Sequence, residues 1–367
     1  MTTAQICICL AIAIYLIAML GVGVWFAKRN NSVDDFYLGG RKLGPFVTAM
    51  SAEASDMSSW LLMGLPGVAY LTGLAEASWT AIGLAIGTYI NWLIVSKRLR
   101  RYSMRAGNAI TLPEYFSNRF HEKGKVIMTI AALFILIFFT VYAASCLVTC
   151  GKLFSTLFDM PYIPMMIVGA VFVLVYTLIG GFLAESASDF MQALVMIIAL
   201  GVIVFVGTTA AGGLDAVIDN VRSIPSFLEF FGIATPETVD GVQQVAAGTP
   251  LFGEGTSYGA LSVVSALAWG LGYFGVPQVL LRFMAIRSER ELTMSRRIAT
   301  VWVVISLTIA VFIGVVGRSL YPSALLTSSE AENVFILLAT SLLPPLLAGF
   351  VMAGILAATI SSSDSYL

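Results

Sequence analysis

"SAEASDMSSW" (residues 51–60) sets four serines and two carboxylates, Glu53 and Asp56, inside an apolar stretch long enough to cross a membrane. "GPFVTAM" (44–50) precedes it and "LLMGLPGVAYLTG" (61–73) follows. Backbone polar groups at membrane depth need partners, and an ionisable side chain at mid-depth costs about 2.5–3.5 kcal/mol on insertion scales. Such a run is therefore placed for use. A broken helix meets both demands: the unwound segment frees carbonyl oxygens to hold a cation, and half-helix amino termini face an anionic group. The competing reading is a continuous helix whose serines bond back to their own carbonyls while both acids face a neighbouring helix. Two acids and four serines are many for simple packing, so the break is preferred.

The membrane itself follows from composition. The chain is 58 % hydrophobic and 11 % charged, with mean hydropathy +0.91, too little charge for the surface of a soluble domain of 367 residues. Apolar spans of roughly 20 residues, each able to cross about 30 Å of hydrocarbon, begin near residues 5, 45, 76, 126, 161, 189, 257, 298 and 333. Basic residues alternate with them as topology requires. Lys28, Arg29, Arg41 and Lys42 follow the first span, a group from Lys97 to Lys125 follows the third, and Arg282, Arg287, Arg290, Arg296 and Arg297 follow the seventh. Only Lys152, Arg222 and Arg318 fall on the other side. The amino terminus is thus expected outside, and the segment 208–256 outside and solvated. "GGFLAESASD" (180–189), after the fifth span, reads as a cytoplasmic loop without a basic residue. The first span has no positive n-region, so it reads as a retained helix and not a cleaved signal peptide. Once the cytoplasmic loops are assigned, no basic patch is left for nucleic acid. Cys146 and Cys150 stand one helical turn apart, but His121, the sole histidine, lies in a loop. All four cysteines read as small packing residues, with no transition-metal site.

A second interruption, "WGLGYFGVPQ" (269–278), carries three glycines and Pro277, which no stable uninterrupted helix would choose. The two breaks lie five crossings apart, which points to an inverted five-helix repeat with a site where the breaks meet. The last stretch, "ILAATISSSDSYL" (355–367), ends an apolar span in an oxygen-rich patch suited to a hard monovalent cation. Trp60, Tyr142, Trp269 and Tyr273 lie beside the breaks and read as a pocket lining, with Trp269 and Tyr273 four apart on one face if that part is helical.

"GGRKLGPFVTAMSAEASDMSSWLLMGLPG" (39–67), "WGLGYFGVPQVLLRFMA" (269–285) and "ILAATISSSDS" (355–365), with "TLPEYFSNRF" (111–120) and "LIGGFLA" (178–184) between them, resemble the sodium/solute symporter family, in particular its bacterial sodium/proline members. The resemblance runs from the first span to the end. It implies an all-α membrane protein with the inverted five-helix-repeat transporter fold, one extra leading helix, and alternating access coupled to Na+. Carried across position by position, it implies Na+ ligation by backbone oxygens of Ala54, Met57 and Ala358 and the hydroxyls of Ser361 and Ser362. Asp56 and Asp189 would serve ion coupling, Arg41 would gate the inward-facing side, and Trp60, Tyr142, Trp269, Tyr273 and Pro277 would line the substrate pocket. Position 362 is Thr in many members, and Ser keeps the oxygen. Glu53 and Ser59 stand where proline-transporting members carry small residues.

The resulting layout is a leading helix with a cytoplasmic loop (1–44), a first five-helix repeat with its external loop (45–256), and a second repeat of three helices (257–367). Family members continue through four or so more helices, so the chain reads as truncated in the second repeat. The expected activity is Na+-coupled proline symport in the cell membrane, with Na+ as coupling ion, no cofactor, and the lipid bilayer and a small solute as partners. The alternatives are another small amino acid or osmolyte as solute, or a transporter-like sensor domain of a signalling protein. No nucleophile–base pair or HExxH motif suggests an enzyme, and the glycines of "GVGVW" (21–25) sit in a membrane helix where a dinucleotide fingerprint has no strand to stand on.

Overall fold

The structure, a computed structural model, describes residues 2–27 and 32–366. Lys28 and Arg29 of the first basic loop lie outside the described residues. Helix α1 (Thr3–Ala27) leads the chain. Helix α2 (Pro45–Met57) starts on a proline whose missing N–H is no loss at a first turn. It stops at Ser58, which takes the left-handed φ of 50° with ψ −175°. A 3-10 turn, Ser59–Leu61, bridges to α3 (Gly64–Thr72), so the stretch 51–60 does contain a helix break.

Helix α4 (Leu74–Ile94) and α5 (Val126–Phe158) follow, then the 49-residue α6 (Tyr162–Ala210). Within α6, Gly181 adopts φ 64°, ψ −179° and divides the helix into arms 162–180 and 182–210. The expected loop at 180–189 is therefore absent: one glycine makes the turn, and 182–189 form the buried first turns of the second arm. That backbone conformation is open to glycine almost alone, and a Cβ there is strained by about 1–3 kcal/mol. Gly181→Ala is expected to lower thermal stability without touching either proposed binding site. Melting in detergent checks it, and an unshifted midpoint would remove the turn's strict need for glycine.

The second break comprises α7 (Ala260–Leu267), a 3-10 stretch Ala268–Phe274, and α8 (Pro277–Ala285), again begun by a proline. The two sides of this break are bent by 45°. Its 3-10 stretch meets α4 backbone to backbone: a Cβ on Gly87 would stand 2.3 Å from the Gly270 carbonyl oxygen, and one on Gly270 2.1 Å from that of Gly83. Small residues let membrane helices approach this closely.

Helix α9 (Leu292–Leu320) precedes α10 (Val334–Leu342) and α11 (Pro345–Tyr366). The span expected from 333 is thus a short helix followed by a new one from 345, because Leu343 is extended and Pro344–Pro345 cannot continue the hydrogen-bond ladder. Among the described residues, six helices are long and apolar enough to cross a membrane, or seven with the bent pair. The broken pair α2–α3 and the division of α6 account for the other expected spans. Every residue of α11 from 351 to 364 is buried, which makes it the most enclosed helix, packed against α1, α2 and α6.

The segment expected to be solvated is instead a folded cap. A helix, Leu214–Arg222, and three two-stranded antiparallel pairs lie over a small core of Val217, Val221, Phe227, Ala234, Val315 and Val316. Arg318, a basic residue of the outer side, is buried beneath the cap, where it donates to Gln243 at 2.9 Å and lies over the rings of Tyr70 and Phe252. At the opposite end the basic loops gather. Arg100 donates to the Ile286 carbonyl at 2.7 Å and Arg101 pairs with Glu289 at 2.9 Å, which holds the Glu289 carboxyl below its ordinary range.

Candidate functional site

The break in α2 and the end of α11 meet. The Ser361 hydroxyl donates to the Ala54 carbonyl at 2.9 Å and lies 3.2 Å from the Ala358 carbonyl in its own helix. Three of the five expected ion ligands are therefore in mutual contact. Ser362 Oγ is buried without a hydrogen-bond partner, an orphan acceptor of the kind a bound cation satisfies. Met57 is the last residue of α2, and beyond it the backbone bonds tighten to Leu61 N–H on Ser58 O and Leu62 N–H on Ser59 O. Neutral carbonyl and hydroxyl oxygens suit Na+, a hard ion.

Beside this junction is a cavity of about 550 Å³, in the range of small-molecule sites. Trp60, Tyr142, Trp269 and Tyr273 line it together with Asp56, Met57 and Ser58. The Trp60 and Trp269 rings lie 5.3 Å apart, and Tyr142 stacks on Tyr366 at 4.5 Å. Pro277 does not line the cavity; it opens α8 as that helix's first residue. Trp269 and Tyr273 both reach the cavity, but from a 3-10 stretch, where residues four apart do not share a face; Tyr273 is buried and Trp269 largely exposed. Ser59 contacts Thr149 of α5 through paired hydroxyls at 2.7 Å, which ties the break to that helix.

Asp189 lies at the centre of a buried ion cluster. Its Oδ2 accepts from Ser51 Oγ at 2.7 Å and from Arg282 Nη2 at 2.9 Å. Arg282 also donates to Glu185, to Ser51 Oγ through Nε at 2.9 Å, and to Ser365 Oγ at 2.8 Å, with Phe182 facing its guanidinium at 5.2 Å. Ser365 in turn donates to Glu185 at 2.8 Å. One arginine thereby links α2, α6, α8 and α11. Arg282 is 1 % exposed and sits inside α8, so it is not the loop residue its place in the sequence suggested. Asp364 interacts electrostatically with the same acids, and Asp364 Oδ2 and Asp189 Oδ1 are both buried without partners.

Arg41 staples the other end. It donates to the Met284 carbonyl at 2.7 Å, the Ala109 carbonyl at 2.8 Å and Asn108 Oδ1 at 3.1 Å, fastening three chain segments. Burial, with the Arg100 charge nearby, lowers its guanidinium to about 10, which leaves it charged at neutral pH.

Sequence reasoning missed the site roles of Glu185 and Arg282, and placed Asp364 and Ser365 in the oxygen-rich patch without foreseeing their link to this cluster. The signal of the two missed residues was present, since a charged side chain inside an apolar span is rarely idle. Glu53 is buried and accepts from Trp92 Nε1 at 3.1 Å.

A broken helix whose Ala54 carbonyl meets Ser361 on a later, largely enclosed helix, next to an aromatic cavity, has the architecture of an ion-coupled transporter. The chain belongs to the sodium:solute symporter family, whose sequence model matches residues 36–367. That class is Na+-coupled symport of small solutes by multi-pass proteins of the cell membrane, and its members are transporters and not enzymes.

Among its relatives, the osmoregulated proline transporter OpuE of Bacillus subtilis is 38 % identical over 361 residues, 98 % of this chain and 68 % of that protein. The high-affinity proline transporter PutP of the same organism is 40 % identical over 350 residues, 95 % of this chain and 69 % of its own. A sodium/proline symporter of Staphylococcus aureus is 38 % identical over 357 residues, 97 % of this chain and 65 % of its own. The chain thus spans about two thirds of the length of these relatives. A solved Na+-coupled sialic acid symporter, substrate-bound and outward-open, superposes with TM-score 0.74 at 20 % identity, over 98 % of this chain and 71 % of that one. That likeness establishes the inverted-repeat fold.

Proposed function

We propose that this protein carries proline into the cell together with Na+, by alternating access. The observation that carries the reading is the Ser361 hydroxyl joining the Ala54 and Ala358 carbonyls beside a cavity walled by Trp60, Tyr142, Trp269 and Tyr273. Its relatives' names supply the solute. Na+ would be held by the Ala54, Met57 and Ala358 carbonyls and the Ser361 and Ser362 hydroxyls. Asp56, on the cavity wall in the last turn of α2, would favour the ion's arrival, and Asp189 would receive it on the way in. Proline's ring would lie against the aromatic faces, with Pro277 fixing the start of α8 behind them. Arg41 would hold the inner end shut until the ion has bound. The repeats would divide at 45–256 and 257–367, with residues 1–44 as the leading element. The amino terminus would face outward, a reading supported by the contacts that bring Arg41, Arg100 and Arg101 to one end.

The energetics suffice. One Na+ entering down a potential of about 100 mV, inside negative, releases about 2.3 kcal/mol, and a tenfold gradient adds about 1.4 kcal/mol. Together these sustain an accumulation of a neutral solute of about 500-fold. Bound Na+ would link α2 to α11 and favour the state in which the pocket is ordered, which requires a higher Na+ affinity in that state.

Uptake of radiolabelled proline into vesicles bearing the full gene product, with and without an inward Na+ gradient, tests this. Accumulation is expected only with the gradient, and Asp56→Cys is expected to weaken its Na+ dependence. Na+-driven uptake of a different solute would keep the coupling and discard proline, whereas uptake indifferent to Na+ would discard the ion site.

A further inference from the structure

The cavity wall carries two charges that neither the ion site nor the aromatic wall uses. Lys152, on α5, pairs with Glu332, just past the short helix Ser328–Ala331, and both side chains line the cavity. Lys152 is the only cation among the described residues that does so. The two sides of the pair differ in stiffness. Thr327 and Glu330 form a capping box, with Thr327 Oγ1 accepting from Glu330 N–H and Glu330 accepting from Thr327 N–H, each at 3.1 Å. The turn then rests on α3 so closely that a Cβ on Gly67 would stand 3.0 Å from the Glu332 backbone nitrogen. Glu332 is thus presented from a fixed shelf, whereas Lys152 reaches it on a flexible four-carbon stem.

We propose that Lys152 and Glu332 are the outer gate of the solute cavity, and that the gate is opened by the carboxylate of an amino-acid solute, which replaces Glu332 as the partner of Lys152. The proposal rests on the reading of the cavity as the solute site. An amino acid brings a carboxylate that loses water on entry and needs a cation, and Lys152 is the cation the cavity offers. Without solute, Glu332 occupies that place and the mouth is shut. The Lys152 side chain is 22 % exposed and that of Glu332 45 %, so the displaced carboxylate returns to water at little cost and the pair parts readily. A solute without a carboxylate cannot make the exchange, which gives the outer mouth a share in selectivity.

The native Cys146 lines the cavity below the gate and reports on it. In the full gene product with Cys7, Cys9 and Cys150 changed to alanine, Cys146 is labelled from outside by a membrane-impermeant trimethylammonium methanethiosulfonate. Lys152→Gln and Glu332→Gln are both expected to label about tenfold faster than the parent, and the charge-exchanged pair Lys152→Glu with Glu332→Lys to return toward the parent rate. The two single changes alter the local charge in opposite senses. Opposite shifts would therefore mean simple attraction of the cationic reagent, and opposite or absent shifts overturn the gate. For the solute's part, Lys152→Gln is expected to raise the KM for proline about tenfold with kcat little changed, while Glu332→Gln lowers it. An unchanged KM in Lys152→Gln would overturn the carboxylate exchange. Labelling is read without solute, so failure of the parent to transport proline would count against the solute assignment and leave the labelling result on the gate intact.

Discussion

Changing Ser361 and Ser362 together to alanine is expected to abolish Na+-driven accumulation while leaving the protein folded in the membrane. Ser361 contributes an oxygen to the proposed ion site and also holds the Ala54 carbonyl of the broken helix against α11. Ser362 contributes the orphan oxygen that has no other partner. Losing two of about five ligands should weaken apparent Na+ affinity at least a hundredfold, about 2.7 kcal/mol. The fold should tolerate the change, because alanine is the best helix former and the Ser362 hydroxyl has no partner to strand, while the Ala54 carbonyl loses its Ser361 bond at a cost of about 1–3 kcal/mol. Ser363→Ala is the control: its hydroxyl bonds the Thr359 carbonyl in its own helix at 2.7 Å, so its Na+ dependence should match the parent's. Proline uptake titrated against Na+ decides the matter, and a half-saturating Na+ concentration within twofold of the parent's in the double variant would move the ion elsewhere.

The second large effect concerns Arg282. Among the described residues its guanidinium is the one positive charge paired with Glu185 and Asp189 and near Asp364, all buried. Removing one partner of a buried pair strands the other charge, at about 3–5 kcal/mol. Arg282→Gln should therefore greatly reduce the amount of folded protein and lower its melting temperature, whereas Glu185→Gln should do far less, since Arg282 keeps Asp189. Combining Arg282→Gln with Asp189→Asn and Glu185→Gln should recover part of the lost stability, because fewer charges are left stranded. Fluorescence-detected gel filtration after a temperature series reads all of these. If Arg282→Gln melts with the parent, the cluster is not what holds α2, α6, α8 and α11 together at this depth.

Much of the fold was legible because hydrocarbon imposes simple rules. Apolar length marked the spans, the run 51–60 and Pro277 stood where helices break or begin, and Ser361 of the oxygen-rich patch meets the broken helix. What sequence patterning blurred was local backbone freedom. Gly181 turns the chain by itself, which no window average registers, so a loop was expected where a second helix arm begins. Pro344–Pro345 split what reads as one span. Arg282 was counted with the loop arginines because it is near them in sequence, although helix α8 carries it into the interior. Long-range pairings such as Lys152 with Glu332, 180 residues apart, leave no periodic trace. The segment after α6 looked solvated because of its acids, Asp215, Asp219, Glu229, Glu237, Asp240 and Glu254, yet its apolar residues fold a cap over Arg318.

The meeting of α4 with the 268–274 stretch has a mechanical meaning. Gly83, Gly87 and Gly270 touch through bare backbone, so no side-chain teeth interlock at these glycines, and Asn91 crosses the joint with one hydrogen bond to the Tyr273 carbonyl at 2.8 Å. Interdigitated helices move in steps of a turn, because each knob must climb out of its hole. Two smooth surfaces have no such detents. When one bundle rocks against the other, this joint can act as a plain bearing, sliding by small increments with little frictional barrier, and even one added methyl group would roughen it into a ratchet.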